Sequence, residues 1–386
     1  MKYNFLNIKK LFSSKISKIF LFLFLCVEIA IKYEVLYIHK IKRESKLINK
    51  YYNLNNKGLL INKKHFQRIE NPKISLISAV YNSEKYILRF LRSIQNQLFP
   101  DIEIIFIDDY SDDNSTLIIE KYKKDDERII LIKNKKNKGT LVSRNIGALK
   151  AKGEFLMFPD PDDMLSEDIL NICYKISKRY NYDLIRFNMY SNRYFIFCLF
   201  DKNLKRVIYQ PELRTYLIYG HGFQKLIDGI ISNKFIRKTT FLITLNNINN
   251  YYLNKKMIYF EDGLINYALH LNAKSLFLLD HIGYYYIFNN KSVSHYVNID
   301  LYFECFFIFL KFLIEKTKNN EYEKEINFFI LKEYIPENFL IQNITKYSEI
   351  YEEVINSLMK DKFINIINKE KLKILKNIIL KKKHSK

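Results

Sequence analysis

Gly153-Glu154-Phe155-Leu156-Met157-Phe158-Pro159-Asp160-Pro161-Asp162-Asp163-Met164-Leu165 decides the reading of this chain. Glu154 to Phe158 is a short apolar run without alternation, the pattern of a strand buried on both faces. A proline ends it, and three carboxylates follow within four positions. Pro159 and Pro161 fix their own φ and push the residue before each toward extended geometry, so the strand ends in a stiff acidic rim. In open α/β sheets that end of the strand is where ligands bind. Clustered carboxylates repel, and a hard divalent cation bridging to a phosphate would stabilise them. The competing reading is a solvated acidic loop ahead of a helix starting near Ser166.

Upstream, strands and helices alternate. Lys73–Val80 reads as a strand, followed by a helix with Ile87, Leu88, Leu91, Ile94 and Leu98 on one face and Pro100 closing it. Ile102–Ile107 is a second strand that runs into Asp108 and Asp109. A helix over Ser115–Lys124, a strand over Arg128–Ile132 and a helix opening at Gly139 complete the series. This order implies right-handed crossovers and a mainly parallel sheet. Carboxylates just past the second and fourth strands then share one edge. Asp112 and Asp113 read as caps of the next helix.

The remaining composition bounds the alternatives. A length of 386 residues suits one large α/β domain with appendages. Phe and Tyr number 30 each, Trp is absent, and Gly (9) and Pro (6) are scarce. The net charge of +22 comes from lysines spread along the chain, not from one basic face with stacking aromatics, which disfavours nucleic-acid binding. The four cysteines (Cys26, Cys173, Cys198, Cys305) are far apart and suggest neither a disulfide framework nor a metal pair. Residues 19–38 are apolar enough for a single-pass signal anchor without a small-x-small cleavage site, with a cleaved signal and a buried helix as alternatives. The organisation expected is a basic segment 1–18, an anchor 19–38, a stem 39–72, a catalytic domain 73–298 divided at 163/164, and a helical extension with a basic tail over 299–386.

Four motifs now carry a resemblance: Pro72–Asn82, the Asp108-Asp109-x-Ser111-x-Asp113 turn, Gly139-x4-Arg144-Asn145-x-Gly147, and Gly153-Glu154-x4-Asp160-x-Asp162-Asp163. In order and spacing they resemble the family 2 glycosyltransferases. The resemblance implies an α/β GT-A fold and a nucleotide-diphosphate sugar donor, a UDP-sugar. It implies that Tyr81, Glu84 and Asp109 line the nucleoside pocket and that Arg144 lies near base and phosphates. It further implies that Asp160 and Asp162 hold Mn²⁺ or Mg²⁺ on the diphosphate. Ser232–Lys238, Met257–Leu264 and Tyr284–Tyr286 with Ser292 and Ser294 resemble the acceptor-side half of non-processive members, in which the carboxylate matching Asp262 is the general base of inverting transfer. Glu261 is the fallback base, and an N-cap role is the rival reading of Asp262.

Tyr110 and Pro161 depart from the usual family pattern, and the Gln-x-x-Arg-Trp motif of processive synthases is absent. His221, His281 and His295 are isolated, with His295 a weak possibility for diphosphate contact. The expected partners are the donor, a glycan, protein or lipid acceptor, and a membrane of the secretory pathway (endoplasmic reticulum or Golgi), with no nucleic acid. The alternatives are a catalytically inactive nucleotide-sugar-binding or scaffold protein and a basic nucleic-acid-binding protein.

Overall fold

The computed structural model describes residues 65–191, 207–210, 213, 230–287 and 299–317. The predicted anchor 19–38, the stem up to residue 64, His221, Ser292, Ser294, His295, Cys26, Cys198 and the region after 317 lie outside these residues. Among the described residues, no helix is long and apolar enough to cross a membrane.

Among the described residues, nine strands form one sheet. β1 (Ile74–Val80), β2 (Ile102–Asp108), β3 (Ile129–Lys133) and β4 (Phe155–Met157) come from the first half, and β5 (Met164–Leu165), β6 (Leu184–Ser191), β7 (Val207–Tyr209), β8 (Lys234–Arg237) and β9 (Ser275–Tyr286) from the second. Their order is β3-β2-β1-β4-β8-β6-β9-β5, with β7 also on β9. The β1–β2, β1–β4, β2–β3 and β6–β9 ladders are parallel. The β4–β8, β5–β9, β6–β8 and β7–β9 ladders are antiparallel. The expected mainly parallel sheet therefore holds for the first half alone, and the whole sheet is mixed. In the second half β8 runs against both β4 and β6, and β5 and β7 run against β9, while β6 and β9 remain parallel.

The helices are α1 (Ile87–Gln95), α2 (Ser115–Lys123), α3 (Thr140–Lys150), α4 (Ile169–Tyr180), α5 (Lys238–Asn246), α6 (Asn250–Leu253), α7 (Glu261–Asn272) and α8 (Ile299–Thr317). On α1 the buried apolar residues are Ile87, Phe90, Leu91 and Ile94. Leu88 and Leu98 are exposed, contrary to the sequence reading: Leu88 falls outside the helix's buried face, and Leu98 lies in the loop after the helix ends at Gln95. The strand drawn over Glu154–Phe158 shortens to three residues, all buried. The helix expected near Ser166 starts at Ile169, after the unforeseen β5.

Helix α3 lies against β1 and β2 at Gly147, where an added Cβ would collide with Ile77 Cγ2 and come within 3.4 Å of Ile107 Cγ1. Such contacts leave no room for a side chain in a close-packed interior. Replacing Gly147 by Val should therefore lower unfolding stability by about 1–3 kcal/mol through overpacking, read as a fall in the urea midpoint at unchanged m-value.

Candidate active site

The parallel pairing of β2, β1 and β4 sets their C-terminal ends along one edge. Asp109 leaves β2 there, and its backbone N–H donates to Val80 O at 2.8 Å. Its buried carboxylate accepts from Asn134 Nδ2 (2.8 Å), Lys138 N (2.8 Å) and Gly139 N (2.7 Å). Asp109 thus fastens the loop that starts α3. Gly139 has a φ of +86° and a Cβ there would lie 2.9 Å from Met257 O, so this tight entry requires glycine.

The turns after β1 and β2 are laced together by side chains. Glu84 accepts from Asn114 N (3.2 Å) and Nδ2 (2.9 Å), while Asp113 accepts from Glu84 N and Ser115 N, each at 2.9 Å. Asp113 therefore does brace the start of α2, as its local sequence suggested, and its carboxyl lies below the usual range. Burial opposes that shift, and the Ser115 hydroxyl with the backbone donors outweighs it. Tyr81 is exposed on this rim. Tyr110, which departs from the family pattern, takes a left-handed φ of +72° with its ring exposed.

The centre of the cleft is Arg144 on α3. Its guanidinium donates to Asp160 Oδ1 at 2.6 Å and to Asp262 Oδ1, and lies 3.8 Å from Glu261 Oε1. One cation thereby joins the acidic loop after β4 to the carboxylates that open α7. Burial works against its charge, but Asp262, Asp160 and Glu261 outweigh burial and raise its pKa. The second oxygen of Asp160 accepts from Ser232 Oγ at 3.0 Å, and that of Asp262 accepts from Ile231 N at 3.1 Å. Asp262 is thus not an N-cap. The residue at that position is Phe260, with no side-chain cap bond, and the Asp262 carboxylate reaches across to another segment.

Burial raises the carboxyl of Asp262, with Arg144 pulling the other way. Burial and then Asp262 push Glu261 up to about 8. Two carboxyls of unequal basicity side by side are a usual arrangement for proton transfer. Of the residues predicted from sequence, Arg144, Asp160 and Asp262 meet here, with Asp162 two residues along the same loop. Asp109, Glu84 and Tyr81 sit on neighbouring strand ends and loops.

Sequence reading missed what holds the acidic loop. Arg89 on α1 donates to Asp162 O at 2.5 Å. The buried Tyr284 hydroxyl donates to Asp163 Oδ2 at 2.6 Å and accepts from Asp160 N at 3.1 Å, while Ile287 N donates to Asp163 Oδ1. Burial, then Asp162 and Asp160, place the Asp163 carboxyl well above the usual range. Tyr284 stands in the motif compared with the acceptor-side half, but nothing local assigns it or Arg89 to the acidic loop, since both act through tertiary contacts. His281 pairs with Asp168 (3.0 Å) and Cys173 and Cys305 are buried thiols, so none of these belongs to the cleft chemistry.

Among the described residues no group of three or more His, Cys, Asp or Glu side chains is arranged to hold a metal by itself. A hard divalent ion whose shell is completed by substrate phosphates needs only one or two carboxylates. The oxygen donors Asp160 and Asp162 fit that case.

The raised pKa of Glu261 has a stability consequence. A carboxyl that titrates near 8 when folded and near the ordinary value of 4.5 when unfolded binds more protons in the native state between those limits. Stability then falls as pH rises from about 4.5 to about 8. Urea unfolding of wild type and Glu261→Gln across this range should show the wild type losing ground to the variant, by up to a few kcal/mol, with the difference constant above the window.

Residues 75–242 match the family model described as "Glycosyl transferase family 2". The chain is 29% identical to an uncharacterized glycosyltransferase of Haemophilus influenzae, over 44% of this chain and 66% of that protein. It is also 29% identical to the putative glycosyltransferase EpsH of Bacillus subtilis, over 68% of this chain and 75% of that one. Its identity to the poly(ribitol-phosphate) beta-N-acetylglucosaminyltransferase TarS of Staphylococcus aureus is 26%, over 72% of this chain but 46% of TarS. Residues 1–349 of TarS, solved in complex with UDP-GlcNAc, superpose with a TM-score of 0.62 at 19% identity, covering 80% of this chain and 89% of that structure. The matched motifs converge on one sheet edge of a GT-A-like fold, and residues 75–242 carry the match to glycosyl transferase family 2.

Proposed function

We propose that this glycosyltransferase moves a sugar from a UDP-sugar to an acceptor hydroxyl with inversion at the anomeric carbon. The observation that carries the reading is the Arg144 bridge, which holds the acidic loop and Asp262 in a single cleft. Asp262 takes the proton of the acceptor hydroxyl as its oxygen forms the new bond to the anomeric carbon. The bond from that carbon to the diphosphate breaks, and its electron pair leaves on the phosphate oxygen. Ile231 N holds one Asp262 oxygen and Arg144 the other, which together fix the carboxylate's orientation. Arg144 supplies positive charge beside the departing phosphates and orients Asp160 and Asp262 together. Asp109 shapes the nucleoside end by holding the 134–139 loop, with Tyr81 and Glu84 on the rim beside it.

Asp162, with Asp160, would hold Mn²⁺ or Mg²⁺; when bound, the ion neutralises charge on the diphosphate. The choice of UDP follows solved TarS structures, in complex with UDP-GlcNAc and with UDP. The acceptor is a hydroxyl of a glycan, protein or lipid. The apolar run over residues 19–38 supports a single-pass anchor.

Release of UDP from a UDP-sugar with acceptor present, alongside calorimetry with UDP and Mn²⁺, tests this. Asp262→Asn should lose about 100-fold or more in kcat while binding UDP as the wild type does. Asp162→Ala should lose both turnover and the metal-dependent part of UDP binding. Wild-type turnover in Asp262→Asn would remove the base assignment.

A further inference from the structure

The residue that leads into Glu261 and Asp262 is strained. Phe260 has φ +62° and ψ 1°, the left-handed region, which a bulky side chain rarely adopts. Its carbonyl accepts from Leu264 N at 3.0 Å, so Phe260 fixes where α7 begins and hence where the first two residues of that helix point. A strained conformation of this kind persists only where the surroundings over-determine it, and it concentrates at functional sites.

The surroundings are α8. Tyr302, Phe306 and Phe309, at one-face spacing, place their rings 5.0, 5.6 and 5.7 Å from the Phe260 ring, the last stacked at 13°. Tyr302 also meets Tyr259 at 5.4 Å, and Cys305 Sγ lies 4.0 Å from Lys256 O. One turn further on, Phe312 contacts Tyr252 and Tyr267, the latter on α7 itself. Through its described residues the helix thus grips the approach to the base from Tyr252 to Tyr267.

We propose that α8 is a positioning clamp. By seating the Phe260 ring it holds that residue in its left-handed conformation, and so sets the direction of Glu261 and Asp262 toward Arg144 and the acceptor. Phe260 is the positioning residue and α8 the element it acts through. The inference rests on Asp262 being the base.

The test uses the full chain, with UDP release from UDP-GlcNAc, UDP-glucose and UDP-galactose in Mn²⁺, calorimetry with UDP, and amide hydrogen exchange over residues 258–266. Phe260→Gly can keep the turn but loses the ring. It should lower kcat by about 10- to 100-fold with UDP affinity within twofold, since a small misplacement of a reacting group has effects of that order. Phe260→Tyr, which keeps the ring, should retain turnover. Phe309→Leu keeps bulk on α8 without the stacking ring and should speed exchange in the first turn of α7. Unchanged exchange in Phe309→Leu, or kcat within twofold of wild type in Phe260→Gly while Asp262→Asn is inactive, overturns the clamp. Turnover in Asp262→Asn together with faster exchange in Phe309→Leu would instead refute the base and leave the clamp standing.

Discussion

Everything in the cleft depends on a buried guanidinium shared among carboxylates from two halves of the fold. Arg144 comes from α3, Asp160 from the loop after β4, and Glu261 and Asp262 from α7. Taking these charges from water costs several kcal/mol each, and only close pairing and additional donors offset it. The additional donors are present: Ser232 Oγ on Asp160 and Ile231 N on Asp262. Burial, with the neighbouring carboxylates adding to it, raises the proton affinity of Glu261 and Asp262 against the pull of Arg144. An acid cluster needed for packing alone could have been replaced by apolar side chains at no loss. That these charges and their partners come together from four separate segments points to chemistry.

The mixed sheet explains how these segments meet. Because β8 runs antiparallel to β4, the residues that precede it lie beside the end of β4. Ile231 and Ser232 thereby reach the loop that carries Asp160. The pairing of β5 with β9 sets Leu165 opposite Tyr284 and draws the Tyr284 hydroxyl onto Asp160 and Asp163. Parallel pairing in the first half lines up strand ends, and antiparallel pairing in the second returns chain to the same ends. A wholly parallel sheet would have brought neither Ser232 nor Tyr284 to this edge by such short paths.

This division also explains what could be read in advance. The first half was legible because its strands are continuous apolar runs, its helices have clear faces, and its ligand-side residues follow directly from strand ends. Asp109, Arg144 and Asp160 fall where that pattern puts them. Asp262 was legible through its motif, yet its N-cap alternative could be excluded only by seeing its carboxylate turn to Ile231. The two-residue β5, the return of β8 and the roles of Arg89 and Tyr284 were not legible. Short strands carry too little periodicity to register, and a tyrosine in an apolar strand reads as core until its hydroxyl finds a partner. The end of α1 was misjudged because Leu98 continues the helical spacing beyond the last helical turn.

The strong basic charge does not account for the site. The lysine-rich stretch Lys133–Lys138 borders the cleft, but what it contributes to Asp109 is the side-chain amide of Asn134 and the backbone N–H of Lys138, while Lys133 pairs on the surface with Glu120. Among the described residues, Arg144 pairs with Asp160, Glu261 and Asp262 inside the cleft, a balance unsuited to holding a nucleic-acid backbone, which is bound by many cations at once. The lysines set the long-range field that attracts an anionic nucleotide, whereas the buried groups decide what happens to it. Those two tasks call for opposite local charge. The fold separates them by setting exposed lysines such as Lys133 on the surface and carboxylates at the buried strand ends, whereas the buried Lys234 ammonium donates to Ile230 O.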